Sequence, residues 1–241
     1  MPPQISSLHL WLWPRGHLEG AVIESPVSTA QGPWEYNGKL SNTDFITTRA
    51  GARAFDLNEE GHLEFTDSNR RVEAQSYTHA YWLIWKPGPT TWRTLFRHTP
   101  YHHCLIAPQS NSGGIGIWRS PIGYNAFKDD DNSHFTVQDD GNLAQERWRL
   151  YIVTARNEQS FLYVGDEMEA MEYKGHALGN CGTPRSNANA FWRLGHGNQT
   201  PGFVALAAAW SSVLTVQEME ELRAHPPNDP IFEQAQFTSV T

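Results

Sequence analysis

The sequence predicts an all-β protein: a two-sheet antiparallel β-sandwich with one short helix near its C-terminus. Short apolar segments recur along the 241 residues, with turn residues between them. The turn signals come roughly every 8–12 residues, a spacing typical of sandwiches and jelly rolls. Only one short segment carries helix signals. Because sandwiches of this length are often single domains, we expect one domain over 1–224 and an extended tail over 225–241.

The clearest strand signal is residues 148–164, WRLYIVTARNEQSFLYV. Side chains alternate with a period of two on both sides of the polar residues 157–160, which predicts a β-hairpin. The Trp at its start and the turn Gly165-Asp166 after it favour a half-buried antiparallel sheet.

The remaining elements are read from apolar runs and turn residues. Strands are predicted over 8–13, 80–88, 94–99, 103–108, 113–120, 191–195 and 202–213. Residues 54–58 and 62–67 flank Glu60-Gly61 and predict a second hairpin. The stretches 121–145, around a short HFTV segment, and 172–190 are rich in polar and turn residues and predict loops.

The end of the domain carries two further signals. The run VALAAA at 204–209 is wholly apolar, which predicts a strand covered on both faces, by a partner or by the N-terminal segment. The helix is predicted over 214–224, with Thr215 and Glu218 as a capping box. Its apolar stripe would be Leu214, Met219 and Leu222.

Charge and composition exclude some classes of partner. The 26 acidic residues outnumber the 18 basic ones, for a net charge of −8, so nucleic acid and membrane insertion are not expected. The N-terminus does not resemble a signal peptide, and the compartment stays open, with an extracellular or particle-surface location favoured. Cys104 and Cys181 do not have the spacing of metal-ligating cysteines. The sequence allows either a disulfide between them or two free thiols.

Four segments, in order, carry a family resemblance over roughly residues 50–224. They are Phe55-Asp56-Leu57 with Leu63-Glu64-Phe65; Thr78, Tyr81-Trp82-Leu83 and Trp85-Lys86-Pro87; Trp148 to Thr154 with Leu162 to Glu167; and Leu194-Gly195, Gly202 to Val204, Trp210, Leu214-Thr215, Glu218-Met219 and Leu222. Together they resemble the concanavalin A-like lectin and glucanase superfamily, in its laminin G-like jelly-roll branch. This sequence departs from the pattern of that branch in two places. The usual Asp-Gly turn is replaced by Gly165-Asp166, and the last strand lacks the usual acidic residue.

The resemblance raises an enzymatic alternative. Glucanases with this fold carry a strand motif of the form Glu-x-Asp-x-x-Glu, and Glu167, Glu169 and Glu172 resemble it. On a strand, Glu167 and Glu169 would share one face, and paired carboxylates about 5 Å apart serve retaining glycoside hydrolysis. A solvated acidic edge is the simpler interpretation, and no catalytic residue is assigned.

Two segments contain side chains of the types that bind metal ions. The acidic loops with Asp129, Asp131, Asp139 and Asp140 offer oxygen ligands of the kind calcium takes, as in several laminin G-like proteins, and calcium is the one cofactor left open. The segment with His98, His102, His103 and Cys104 does not predict zinc, because neighbouring strand residues face opposite ways.

The candidate ligand site is an aromatic and polar cluster formed by Trp118, Tyr124, Asn125 and Phe127. We therefore expect a non-catalytic recognition module that binds a glycan or a protein partner through rim loops. A structural or assembly protein, such as a virion or appendage subunit in a homo- or hetero-oligomer, is the alternative, and a glycan-cleaving enzyme is the third. The fold alone does not choose among them.

Overall fold

A computed structural model describes residues 8–12, 28–29, 32–33, 39–40, 46–58, 63–66, 76–86, 91–98, 102–140, 146–179, 191–196, 199 and 201–229. Within these residues, two antiparallel sheets pack face to face, a two-stranded ribbon is formed by β2 (Ser28–Thr29) and β3 (Gly32–Pro33), and one helix, α1 (Val216–Arg223), follows the last strand. This confirms the predicted all-β sandwich. No helix in the described ranges is long and apolar enough to cross a membrane.

The larger sheet has eight strands. In spatial order they are β15 (Glu172–Leu178), β14 (Gln159–Gly165), β13 (Arg149–Arg156), β8 (Ser76–Trp85), β17 (Gly202–Trp210), β6 (Ala52–Leu57) and β5 (Ile46–Arg49), with β1 (Leu8–Leu12) also paired to β17. The smaller sheet has seven strands. In spatial order they are β12 (Gly123–Ala126), β11 (Gly116–Arg119), β10 (His102–Ala107), β9 (Arg93–His98), β16 (Phe191–Leu194), β7 (Leu63–Thr66) and β4 (Lys39–Leu40).

The hairpin predicted at 148–164 is confirmed as β13 and β14. Their register runs from Leu150 opposite Gly165 to Arg156 opposite Gln159, and the turn residue Asn157 has a φ of 54°, as tight hairpin turns require. The predicted half-burial holds for β14 but is wrong for β13, in which every residue except Arg156 is buried. The reason is its central position in a sheet that is covered on both faces.

The main core lies between the two sheets. One face of β8 supplies Tyr81, Leu83 and Trp85, and the facing sheet supplies Phe96 and Ile117; all five are at most 1% exposed. Burial of apolar side chains on this scale is the dominant stabilising term of such a fold.

A second apolar layer covers the outer face of the eight-stranded sheet. Alternate residues of its central strands, including Trp82, Leu150 and Trp210, pack with Met219 and Leu222 of α1. The apolar run 204–209 is buried throughout, so its predicted double coverage is confirmed, with the helix supplying part of the cover. The capping box of Thr215 and Glu218 is also confirmed.

The hairpin predicted around Glu60-Gly61 is wrong, although that turn itself lies outside the described residues. Strand β6 belongs to the eight-stranded sheet and β7 to the seven-stranded one, so the chain crosses between sheets there. The hairpin partner of β6 is β5, and Ala50 and Gly51 join them with φ values of 43° and 78°. A two-residue turn with positive φ is the favoured connection of a hairpin.

Two strands, β12 and β15, lie where loops were predicted. They are the edge strands of the two sheets, and Lys128 connects them because its backbone exchanges hydrogen bonds with that of His176. Gly175 makes this contact feasible: its φ is +135°, and a Cβ there would lie 2.5 Å from the Lys128 carbonyl.

Candidate functional site

The outer face of the seven-stranded sheet carries the candidate site. Ile117, Cys104, Phe96 and Leu194 belong to four adjacent strands and are buried in the core between the sheets. Side chains alternate along a strand, so the neighbours of these four residues point away from the core. Those neighbours are Trp118, His103, Arg97 and Arg193.

Strand register brings these side chains into one row. Tyr124 lies opposite Trp118, Trp118 opposite His103, His103 opposite Arg97, and Arg97 opposite Arg193. Residues directly opposite each other in an antiparallel pair lie on the same face of the sheet and are within contact distance. We refer to these five residues as the outer row.

The aromatic end of the outer row is extended by Trp92. The ring centroids of Trp92 and Tyr124 are 4.9 Å apart at 65°, an edge-to-face geometry that aromatic pairs prefer. Trp92 is 37% exposed. The Tyr124 hydroxyl donates to the Gly114 carbonyl, and burial raises the pKa of Tyr124, so this hydroxyl is uncharged at physiological pH.

The centre of the outer row holds two imidazoles. The His103 ring lies 5.5 Å from Trp118 and 6.0 Å from His196, between ring centroids. Nη1 of Arg97 donates to Nε2 of His196 at 2.8 Å. Because a guanidinium only donates, Nε2 of His196 is unprotonated and the ring is neutral. Burial, followed by the nearby Arg97, His196 and His102, lowers the pKa of His103 to about 3.

The segment after β16 places His196 on this face. The backbone N–H of Gln199 donates to the carbonyl of His196 at 3.1 Å, and Gln199 Oε1 accepts the backbone N–H of Thr94 at 2.6 Å. These bonds fasten the segment against β9, next to Arg97. The site therefore combines aromatic rings, two neutral imidazoles and guanidinium groups.

The structure divides the predicted ligand cluster. Trp118 and Tyr124 lie together, on strands rather than on rim loops. Phe127 is fully buried in the core, so no surface ligand reaches its ring. Asn125 lies opposite Ile117, a core residue, and therefore belongs to the inner face of the sheet. Grouping Asn125 and Phe127 with the other two was wrong.

The acidic segment after β14 is a bend and not the predicted strand, so Glu167 and Glu169 are not placed as a pair on a sheet face. Asp166 shapes the bend: its Oδ1 accepts the backbone N–H groups of Met168 and Glu169, each at 2.8 Å. Glu172 begins β15 and forms an ion pair with Lys174 at 2.6 Å.

Glu169 belongs to an ion network centred on Arg149. This guanidinium donates to Asp140 at 2.9 Å, to Asp166 at 2.7 Å and to Glu169. Burial alone would lower the pKa of Arg149, but its three carboxylate partners outweigh that effect and raise it. The hydrogen bond from Arg149 is the main cause that lowers the pKa of Glu169. The network holds the bend against β13 and has the character of a structural ion cluster.

Three of the four predicted calcium ligands, Asp129, Asp139 and Asp140, have carboxylates that accept hydrogen bonds from other residues of the chain. Asp129 accepts the N–H groups of Asp131 and Ser133, and Asp139 accepts the N–H and hydroxyl of Thr136. Asp140 is 3% exposed and paired with Arg149, so its inclusion as a calcium ligand is corrected. Within the described ranges, no group of three or more His, Cys, Asp or Glu could hold a metal. Cys104 lies in the core, and Cys181 is outside the described residues.

Sequence reasoning missed Trp92, Arg97, Arg193 and His196, and it considered His103 only as a metal ligand. Alternation within β9, β10 and β16 could have identified outward positions. The sequence does not state that β16 lies beside β9, because that neighbour follows from long-range pairing, whereas β9 and β10 are consecutive strands that pair in chain order.

No protein-family model matches the sequence, and the search of curated proteins finds no match. Solved structures do resemble the chain. Trypanosoma rangeli sialidase matches with a TM-score of 0.50 and 12% identity, over 95% of this chain and 33% of the sialidase. The receptor binding domain of botulinum neurotoxin D matches with a TM-score of 0.51 and 10% identity, over 91% and 52% of the two chains.

Domain 4 of AbnA, a GH43 extracellular arabinanase from Geobacillus stearothermophilus, matches with a TM-score of 0.50 and 17% identity, over 81% of this chain and 92% of that domain. The chain thus spans about a third of the sialidase and about half of the toxin domain. At these identities the likeness establishes the fold alone, a β-sandwich.

Proposed function

We propose that this protein is a non-catalytic recognition module that binds a glycan on the outer row and the adjoining Trp92. The observation that carries the proposal is the placement of Trp92, Tyr124 and Trp118 beside His103 and the guanidinium groups on one sheet face. Aromatic rings pack against the apolar faces of sugars, and nearby polar groups hydrogen-bond the hydroxyls.

The likeness to known structures supports this proposal at the level of the fold. The Geobacillus stearothermophilus domain was solved in complex with arabinotriose, so a sandwich of this architecture serves carbohydrate binding in another protein. Function resides in a site rather than in a fold, which makes the outer row the part to test.

The acidic segment supports a non-catalytic role. Retaining hydrolysis needs one carboxyl group that is protonated and a second that is free to attack, about 5 Å apart. Glu169 instead accepts hydrogen bonds from Arg147 and Arg149, which lower its pKa. A group held in the ionised state by two guanidiniums is a poor general acid.

The test is binding to a glycan array, followed by calorimetry on the best ligand with the variants Trp118→Ala and Trp92→Ala. Truncation of a central aromatic contact is expected to weaken binding by about tenfold or more. Tyr173→Ala is the matched control, because Tyr173 is a comparably exposed aromatic on the edge of the other sheet. Equal binding by Trp118→Ala and the parent protein would refute the proposed site.

A further inference from the structure

We infer that the ligand of the outer row is a single polysaccharide chain, bound through several consecutive sugar units rather than through one terminal sugar. This inference deepens the proposed function and rests on it. It concerns the length and shape of the glycan, which the presence of aromatic residues alone does not specify.

The first support is the number of rings that follow one another. Trp92 contacts Tyr124, with 4.9 Å between their ring centroids, and Tyr124 lies opposite Trp118 on the neighbouring strand. The Trp118 ring in turn lies 5.5 Å from that of His103 on the next strand. Because adjacent strands are about 4.8 Å apart, the backbone positions from Tyr124 to His103 span about 10 Å. A surface of this length accommodates more than one sugar ring.

The second support is the tilt between neighbouring rings. The ring planes of Trp92 and Tyr124 are 65° apart, and those of Trp118 and His103 are 42° apart. Rings tilted by these angles cannot all lie flat on one planar surface, such as the face of a crystalline polysaccharide. A single chain fits this arrangement, because its successive sugars are rotated about the chain axis and present their faces in changing directions.

The third support is that the fold itself holds the rings in place. Trp118 and Tyr124 belong to the paired strands β11 and β12, and the Tyr124 hydroxyl donates its hydrogen bond to the Gly114 carbonyl. Tyr124 therefore offers its ring to a ligand rather than a free hydroxyl donor. Side chains that are already ordered lose little conformational freedom on binding, so each additional sugar contact adds to the affinity.

The experiment measures affinity against chain length. The probes are the xylan, cellulose, mannan, arabinan and chitin series, each from monosaccharide to hexasaccharide, and microcrystalline cellulose represents a flat surface. For the series that binds best, we expect the affinity to rise by about tenfold or more from the monosaccharide to the tetrasaccharide. A monosaccharide that binds as tightly as its tetrasaccharide, or binding to the crystalline surface alone, would overturn the inference.

Variants at the end of the row test whether its length matters. Trp92→Ala is expected to weaken binding of the tetrasaccharide by about tenfold and of the monosaccharide by less than about twofold, since Trp118 remains for a single sugar. Trp92→Phe keeps a ring and should retain most of the gain with length. Tyr173→Ala is the matched control, because Tyr173 is an exposed aromatic on the other sheet, and it should leave the length dependence unchanged.

The possible failures are distinguishable. A parent protein that binds no glycan at all would refute the proposed function itself. Binding that depends on Trp118 but is limited to a terminal sugar, with no preference for longer chains, would refute only the chain-length inference. Thermal unfolding of each variant shows whether its fold is retained, and a folded Trp92→Ala variant with the full length dependence of the parent contradicts the inference.

Discussion

The two outer faces of the sandwich differ in what they bury. On the eight-stranded sheet, Trp82, Ile84 and Leu150 are at most 2% exposed and pack with the C-terminal helix. On the seven-stranded sheet, the outer row has aromatic and cationic side chains that are only partly buried. One face thus adds a second apolar core, and the other carries a row of aromatic, imidazole and guanidinium groups.

This difference sets a face that contributes to stability against the face on which we propose that a ligand binds. Apolar surface removed from water contributes roughly 25 cal/mol per Å², and the helix-covered face contributes through this effect. Burial of a face with guanidiniums and imidazoles stabilises the fold less, because polar groups that leave water need hydrogen-bond partners in the protein. Four predictions test the comparison, ordered by the size of the effect expected.

The largest effect is expected for Trp82→Ala. Trp82 is fully buried under the helix layer, and truncation of a buried Trp leaves a cavity that costs about 3–5 kcal/mol. Urea unfolding measures this directly. Trp118→Ala, on the other face, is the matched control and should cost about 1 kcal/mol or less. Equal losses for the two variants would show that both faces serve the core.

Arg149→Met should destabilise the protein by about 3 kcal/mol, because Asp140 and Asp166 would be left buried without their cation. Arg147→Met is the control. Arg147 contacts Asp166 and Glu169 but is more exposed, 21% against 7% for the side chain of Arg149, so its loss should cost clearly less. Chemical unfolding of both variants measures the difference, and similar losses would argue against Arg149 as the centre of the network.

Leu222→Ala tests the helix cover, with an expected loss of about 2–3 kcal/mol. Leu222 is 3% exposed and packs on the sheet, whereas Val216 in the same helix is 56% exposed. Val216→Ala should therefore change the unfolding free energy by about 0.5 kcal/mol or less. A Leu222→Ala variant as stable as the parent would mean that the helix contributes little to the second core.

The smallest effect is the pH dependence of the ion network. Burial alone would raise the pKa of Asp166, but hydrogen bonds from Arg149, Met168 and Glu169 lower it overall. The unfolded chain therefore binds protons more readily than the folded one, and stability rises with pH. This contribution is present above about pH 4, the unfolded pKa, and is lost as pH falls through the lowered folded value.

Urea midpoints measured from pH 7 to pH 3 would show this loss. Asp166→Asn should flatten the dependence, because the titrating group is removed. Glu167→Gln, which changes an exposed carboxylate of the same bend, should leave the slope as in the parent. An unchanged slope in Asp166→Asn would remove Asp166 as a source of the pH dependence.

The sequence by itself determined the local elements. The hairpin of β13 and β14 and the cap of α1 were predicted correctly, because alternation, turn residues and capping act between residues close in the chain. Trp118 and Tyr124 were grouped because they are close in the sequence, but the strand that holds Tyr124 was predicted as a loop, and their pairing is known from the structure. Alternation within β12 separates Tyr124 from Asn125, and Phe127, just after the strand, is buried in the core.

Only the tertiary structure decided which strands are neighbours. It separated β6 from β7 into different sheets, against the predicted hairpin, and it placed β16 beside β9. The outer row exists because this order aligns Trp118, His103 and Arg97, from three consecutive strands, with Arg193, which lies much further along the chain. Long-range pairing depends on the burial of whole sheet faces, a property that no local segment carries.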